Sequence, residues 1–564
     1  MKWIKRNNVK INDDALIIEK LAKVRGIKNV KEWMNPHSNN LNSPYRLLNI
    51  DEAVNTIIKA VHKGEVIRIV ADIDTDGVCS TAIMYNYLKV LTNNIQYIHS
   101  QRSKGHGVET VLDQIGDDVQ LVIIVDSSSN STDECKELQE RGIKVVIIDH
   151  HKISKPNPYA ILVNCQMGDY PNKYLSGSAM CYKVCQVLDE YLGIEMADNF
   201  LDLTAIGLVG DLMDIKVMEN RFLIYNGLNH IVNLGVKEIL KQSKMDYANG
   251  IKSTDISFKI APIVGACSRL DKIELALECL TTEDKIRIYE LTEQMIEINE
   301  ERKRGLKIFV EEAKKSIESE NLNTNNVIIY VKDDIGSGYR GLVAQGIVEE
   351  YSKPTFILYH NKEKGVYMGS GRSVGVIPLQ SLCEDSGLFN FAQGHEGAFG
   401  VEFPEENLQK IISYFNSTLD STDLQKVIEY DLELDASDIE ELDIKEVEKF
   451  SKIVGQGFPE PKFLIRGLVV EEAYTKKLGN HVRAVMGGNN DTIKINCENS
   501  FALMRFRSHE SYGIEIEQHF NDESNFVTEL EVVGSLNLNR FYNGGLQRWV
   551  ITKQVFIEDF KIVE

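Results

Sequence analysis

The residues of this chain best placed to do chemistry are acids and histidines that follow three apolar runs. Val66-Ile67-Arg68-Ile69-Val70-Ala71 leads into Asp72-Ile73-Asp74-Thr75-Asp76-Gly77, Leu121–Val125 into Asp126, and Val145–Ile148 into Asp149-His150-His151. Short β-branched runs read as buried strands of a parallel sheet. Open α/β sheets bind ligands at the carboxyl ends of their strands. Five Asp and two His gathered on one such edge repel one another and lose solvation, so a positive partner belongs among them. Hard oxygen ligands with a few imidazoles suit one or two divalent ions. A pair about 3.5–4 Å apart acidifies a water and stabilises both the attacking and the leaving oxygen of a phosphoester. Such mixed ligation fits Mn2+ or Mg2+ better than structural zinc, which favours Cys.

Each segment also has a plainer reading. A D-x-D-x-D-G run resembles a calcium loop, yet position 12 counted from Asp72 is Ile83 and not Glu. Asp126 before Ser127-Ser128-Ser129 fits a helix cap, and a histidine pair after a strand can be a surface accident. Three such ends in succession outweigh those readings. Asp72, Asp74 and Asp76 are expected on a turn closed by Gly77 that feeds a helix. The N-terminus of that helix would also favour phosphate.

Placing these groups requires alternating strands and helices, and the chain supplies them. Its 564 residues suit three or four domains at roughly 150 residues each. An N-terminal extension, residues 1–48, is mixed and polar with a turn at Asn35-Pro36. Residues 49–283 are expected to form the catalytic domain, with helices such as Ser80–Leu91 and Asp133–Arg141 between strands and a largely helical stretch over 216–285. Residues 284–320 read as a long connecting helix. A second, smaller α/β domain over 321–422 starts with the strand Asn326–Val331 and has strands near Thr355–Tyr359 and Gly365–Gly369. An acidic connector, 423–461, reads as a solvated helix over Asp431–Glu448. Short alternating runs over 462–564 (Lys462–Val470, His481–Met486, Thr492–Asn496, Phe526–Leu536 and Leu546–Ile557) suggest a small β-barrel.

Composition narrows the class. Nine cysteines without CxxC spacing suit reduced thiols. The basic start, Met1–Arg6, has no apolar h-region after it, and no stretch approaches the ~20 apolar residues of a membrane span. A cytoplasmic protein without membrane contact is expected. The net charge of −21 argues against coating nucleic acid by bulk electrostatics, but leaves room for a metal-filled cleft with a few Arg and Lys. Gly369-Ser370-Gly371-Arg372-Ser373 reads as a small-residue loop after a strand whose N–H groups and guanidinium could cradle phosphate. Gln393-Gly394-His395-Glu396-Gly397-Ala398-Phe399-Gly400 is a second such segment, read equally well as two tight turns around a packed His.

The ordered set Asp72–Gly77, Asp126 and Asp149-His150-His151 resembles the first three motifs of the DHH phosphoesterase superfamily. Leu203–Asp211 resembles the fourth, which makes Asp211, rather than nearby Asp214, a further carboxylate ligand. Glu219-Asn220-Arg221, Ile260–Leu270 with Arg269, and the helix bearing Asn299-Glu300-Glu301-Arg302 resemble the RecJ branch. The Gly369–Ser373 and Gln393–Gly400 segments are similar to the GSGRS and GGHxxAAG signatures of the DHH-associated domain. Gly455–Pro461 with Phe463, and Asn539–Gln547, resemble the RecJ OB-fold. Departures are Gln393 for Gly, Phe399 for Ala, Ile335-Gly336 where the family has Trp-His, and Arg102-Ser103-Lys104-Gly105-His106-Gly107 where it has Arg followed by Glu-Gly-Tyr-Gly.

The resemblance implies an α/β fold: a parallel-sheet DHH phosphoesterase domain, a long connecting helix, a smaller DHH-associated domain and a C-terminal OB-fold barrel. It implies a single-strand-specific 5′→3′ DNA exonuclease of recombination, repair or replication. Asp72, Asp74, Asp76, Asp126, His150 and Asp211 would bind two Mn2+ or Mg2+ ions, with Asp76, Asp126 and His151 catalytic. Arg102, Arg269, Ser370, Gly371, Arg372, Ser373, Gly394 and His395 would hold substrate phosphates. In the barrel, Lys476, Lys477, His481, Arg483, Arg505, Arg507, Arg540 and Tyr542 could contact a single strand. The expected partners are single-stranded DNA and a single-strand-binding protein or helicase, and the expected state is a monomer. Two alternatives stay open: a phosphodiesterase of short oligonucleotides or cyclic dinucleotides, and a non-catalytic replication-fork scaffold.

Overall fold

The β-branched runs form the middle of a five-stranded parallel sheet in the computed structural model, which describes residues 2–9, 15–248, 250–375, 377–419, 427–476, 481–487, 501–505, 528–543, 545 and 547–563. Its strands are β1 (Ile67–Ala71), β2 (Ile95–His99), β3 (Leu121–Val125), β4 (Lys144–Asp149) and β5 (Ile161–Asn164). Their order is 2-1-3-4-5, all parallel. The order reverses between β1 and β3, so a crevice opens between the loops that carry Asp72–Asp76 and Asp126, as doubly wound sheets require at a switch point. Val70, Val122, Ile124 and Ile147 build the core on one face.

On the other face lie α1 (Thr75–Leu88), α2 (Gly177–Leu192) and α3 (Leu201–Gly210), which pack on one another. Each is buried around nearly its whole circumference, as expected of helices that are apolar on all sides. The sequence reading starts α1 at Ser80. It starts at Thr75, because the Asp74 carboxylate caps it by accepting from the Gly77 N–H at 2.9 Å. Strands β2 and β5 escape the reading: Ile-Gln-Tyr-Ile-His and Ile-Leu-Val-Asn are short and partly polar.

The expected long helix is present as α4 (Lys285–Ser319), capped by Asp284. Its first half buries Ile288, Leu291, Thr292, Met295, Ile298 and Asn299, at helical spacing. Its last turns bury Ala313 and Ile317 in the core of a second sheet. That sheet contains β6 (Ile328–Val331), β7 (Thr355–Asn361), β8 (Val366–Arg372), β9 (Phe391–His395) and β10 (Ala398–Pro404), in the order 9-10-8-7-6, with α5 (Ser337–Tyr351) between β6 and β7. Both sheets belong to one compact unit, residues 37–425 with 455–457.

The second unit contains residues 1–36, 426–454 and 458–564. Lys2–Lys5 pairs in parallel with Val427–Tyr430. Leu432–Asp435 flanks five strands that close on themselves: Phe463–Lys476, His481–Gly487, Phe501–Arg505, Arg548–Val563 and Thr528–Asn543, the last returning to Phe463–Lys476. This is the five-stranded barrel expected of an OB-fold, filled by Phe463, Ile465, Leu468, Val532 and Val555. The acidic stretch departs from its reading as a solvated helix. Its first part is a strand, and Asp431 is fully buried in a bidentate pair with Arg25, with bonds of 2.8 and 2.7 Å. The proposed strand Thr492–Asn496, Lys477 and Arg507 lie outside the described residues, as do the side chains of Lys476, His481, Arg483, Arg505, Arg540 and Tyr542.

Candidate metal centre and phosphate cradle

The three strand ends converge. Asp72 follows β1, Asp126 follows β3, and Asp149, His150 and His151 end or follow β4. Three overlapping sets bring ligand atoms within 4.8 Å of one another: Asp72, Asp74 and Asp126; Asp76, His150 and Asp211; and Asp126, Asp149, His150 and His151. Asp211 arrives from the C-terminal end of α3, so all six side chains proposed as ligands fall in these sets.

Backbone groups aim several of them. Asp76 accepts from the Gly177 and Ser178 N–H groups at the start of α2, at 2.6 and 3.1 Å. Asp126 is not a helix cap: its backbone is left-handed, with φ 61°, and the following Thr132–Glu140 helix is preceded by Ser131. That conformation is unusual outside glycine and is held where a site requires it. Two glycines make room for the carboxylates. A Cβ at Gly177 would overlap the Asp126 carboxylate, and one at Gly207 would overlap that of Asp76.

Asp126 Oδ1, His150 Nε2 and Asp211 Oδ2 are buried without a hydrogen-bond partner. His150 Nε2 lies 3.2 Å from Asp126 Oδ1 and 3.4 Å from Asp211 Oδ2. Burial, then the neighbouring Asp76, Asp74, Asp72 and Asp211, pushes the Asp126 carboxyl well above its usual range. Burial and Asp74 push Asp211 the same way. Burial raises Asp72 too, against the opposing pull of His106. Burial and His151 hold the His150 imidazole below its usual value. Orphaned buried groups of this kind are costly. Three converging lone-pair donors, two of them carboxylates, fit a divalent cation in both charge and ligand type.

Asp149 plays a different part. It is fully buried and accepts from Ser129 Oγ at 2.6 Å, the His150 N–H at 2.7 Å and His151 Nδ1 at 2.8 Å. Burial alone would raise its carboxyl, but the His151 hydrogen bond and charge outweigh that and hold it well below the usual range. His151 is half-exposed; burial works against its charge, yet Asp149 raises it to about 10. Asn164 completes the support by donating to Ser129 Oγ and the His151 carbonyl, each at 3.0 Å.

A cluster of arginines faces the acids within the same unit. Burial, then Arg102, Arg302 and Arg372, pushes Arg269 down to about 9, while Asp74 opposes the shift. Arg102 Nη1 reaches Ser268 Oγ at 3.5 Å, Arg269 Nη1 donates to the Gly338 carbonyl at 3.1 Å, and Arg372 Nη1 to the Gly371 carbonyl at 2.7 Å. No carboxylate is hydrogen-bonded to these three guanidiniums among the described residues, so a phosphate has donors available. The Gly369–Ser373 segment is not the loop expected from its composition: Gly369 to Arg372 are the end of β8. Ser370 lies on that strand, and Ser373 Oγ just beyond it donates to the Ile377 carbonyl at 2.7 Å. Likewise Gln393–Gly400 is the β9–β10 hairpin and not two separate tight turns, with Gly394 paired to Phe399. The side chain of His395 lies outside the described residues.

Gly177, Ser178, Gly207, Ser129, Asn164, His106 and Arg302 have a place in this site that sequence reasoning did not assign. Only Arg302 and His106 carry a chemical signal of their own.

Comparison with known proteins agrees with this arrangement. Residues 66–208 match the DHH family N-terminal domain, and residues 430–547 match the RecJ OB domain. The chain is 29% identical over 551 residues to the putative SPbeta prophage-derived single-strand DNA-specific exonuclease YorK of Bacillus subtilis, covering 92% of each. It is 30% identical over 469 residues to the single-stranded-DNA-specific exonuclease RecJ of Bacillus subtilis, covering 80% of this chain and 58% of that one. Its fold is similar to that of RecJ from Thermus thermophilus in complex with Mn2+, with a TM-score of 0.76 and 23% identity, covering 97% of this chain and 76% of that one. The parallel sheet and its acidic edge are those of the DHH-type domain that residues 66–208 match. With the match to the RecJ OB domain, the chain is similar in both sequence and domain order to the RecJ-type exonucleases.

Proposed function

We propose that this chain is a metal-dependent exonuclease that degrades single-stranded DNA from the 5′ end. The observation that carries the reading is the buried trio of Asp126 Oδ1, His150 Nε2 and Asp211 Oδ2, which converge and lack partners. Asp72, Asp74, Asp76, Asp126, His150 and Asp211 would hold two Mn2+ or Mg2+ ions. Bound there, the ions supply Lewis-acid charge to the phosphoryl and water oxygens of an in-line displacement. His151, charged and oriented by Asp149, faces the scissile phosphate and balances the charge that develops on its oxygens. Arg102, Arg269 and Arg372, with the Ser370–Ser373 strand end, Gly394 and His395, hold the terminal and neighbouring phosphates.

Residues 49–283 act as the catalytic domain, 321–422 as the substrate-gripping domain joined through the 284–320 helix, and 462–564 as the strand-binding barrel beyond the 423–461 connector. The substrate class follows that of the similar exonucleases, and the barrel suits a polymer better than a dinucleotide. The rest of the reading is a cytoplasmic monomer that works beside a single-strand-binding protein or helicase.

Single strands labelled at the 5′ or the 3′ end, as DNA and as RNA, incubated with Mn2+, test the reading. Early release of the 5′ label as a mononucleotide from DNA supports it. Release from the 3′ end first, or no action on DNA, overturns it.

A further inference from the structure

We propose that His106 is a positioning residue of the metal centre, whose imidazole holds Asp72 in the orientation that the Asp72, Asp74 and Asp126 half of the site needs. The inference rests on the two-cation reading above. His106 lies in the loop from Arg102 to Gly107, where this chain departs from the run found in the family it resembles.

Its Nδ1 stands 3.2 Å from Asp72 Oδ1. A carboxylate only accepts, so Nδ1 carries the proton. Two of the proposed ligands near Asp72 are aimed by the backbone: Asp74 by the Gly77 N–H, and Asp76 by the Gly177 and Ser178 N–H groups. Asp72 has no such backbone clamp among the described residues, and its side chain is 8% exposed while that of His106 is 63% exposed. The donor that aims Asp72 is therefore a side chain at the rim, brought in from the loop after β2.

The loop is itself tied to the next strand end. The Val108 N–H donates to Ser128 Oγ at 3.0 Å, two residues beyond Asp126, and Thr110 Oγ1 donates to the Gly107 carbonyl at 2.7 Å. His106 thus links the ends of β1 and β3, the two strands that flank the crevice. Donors behind a ligand fix its rotamer before the ion arrives. Their loss typically weakens metal binding by about 10–100-fold.

The test is Mn2+ binding to the full chain by titration calorimetry, with the melting temperature of the metal-free protein measured alongside. The variants are His106→Ala, His106→Asn and Asp126→Ala. His106→Ala should bind Mn2+ about tenfold more weakly or worse, with the metal-free melting temperature unchanged. His106→Asn, whose Nδ2–H can replace the Nδ1–H, should recover most of the affinity. In nuclease assays the Mn2+ concentration for half-maximal rate should rise for His106→Ala, while the rate at saturating Mn2+ stays near wild type. Wild-type affinity in His106→Ala overturns the proposal. So does an Asn variant as weak as the Ala variant, because the ring would then act as something other than a donor. If the wild-type chain fails to bind Mn2+, or Asp126→Ala binds it normally, the two-cation reading itself fails.

Discussion

At the residue scale, the centre depends as much on small residues as on charged ones. Gly177 and Gly207 lie directly against the carboxylates of Asp126 and Asp76, with no space for a methyl group. Gly207→Ala should lower stability by about 1–3 kcal/mol, the usual range for overpacking, and weaken Mn2+ binding as Asp76 is displaced. Denaturant melts with and without Mn2+ would separate the two effects. Asp149→Asn should keep the fold but lose the support of His151, and so lower turnover at saturating Mn2+ more than it lowers Mn2+ affinity. Asp72, Asp74, Asp76, Asp126, Asp149, His150 and His151 were legible in the sequence because they follow β-branched runs and so fall on one sheet edge, whereas Asp211, at the end of α3, was reached only through the family resemblance. The residues that aim them were not. Gly177, Ser129 and Asn164 are common residue types far apart in sequence, and only the fold puts their N–H, hydroxyl and amide groups beside the acids.

At the scale of elements, capping and close packing decide where the reading succeeds. The 35-residue helix α4 was legible from its helical periodicity and many charges, and the structure adds its cap, Asp284, whose carboxylate accepts from the Ile286 and Arg287 N–H groups. Asp284→Ala should cost roughly 1 kcal/mol of stability and leave nuclease activity unchanged, as thermal melts and a single-strand assay would show. The Gly369–Arg372 segment was misread as a loop because glycine and serine have low strand propensity. Tertiary packing reverses that preference: a Cβ at Gly369 would collide with the Ile357 carbonyl, and one at Gly371 would crowd the Phe356 and Phe399 rings. Glu219, singled out by its motif, proves to be a buried anchor. It pairs with Lys183 at 2.8 Å and accepts from Asn42, Tyr170 and Asn172. Lys183→Met leaves that carboxylate buried without its cation and should destabilise the protein by about 3–5 kcal/mol, readable as a lowered urea midpoint.

At the scale of the molecule, an acidic protein is proposed to act on an acidic polymer. Its net charge is −21, so long-range attraction does not supply the affinity, and local guanidiniums and cations must. Arg372→Ala should therefore weaken single-strand binding and reduce the slope of log affinity against log salt by about 1, in binding titrations at several salt concentrations. The division into an α/β unit and a closed barrel was legible from alternating runs. The burial of Asp431 against Arg25 was not, because the partners are 406 residues apart. The proposed activity depends on the cations. Crystals soaked in Mn2+ and measured at the manganese absorption edge should show two anomalous peaks about 3.5–4 Å apart, between Asp126, His150 and Asp211 on one side and Asp72 and Asp74 on the other. Absence of peaks there, with Mn2+ bound elsewhere or not at all, would contradict it.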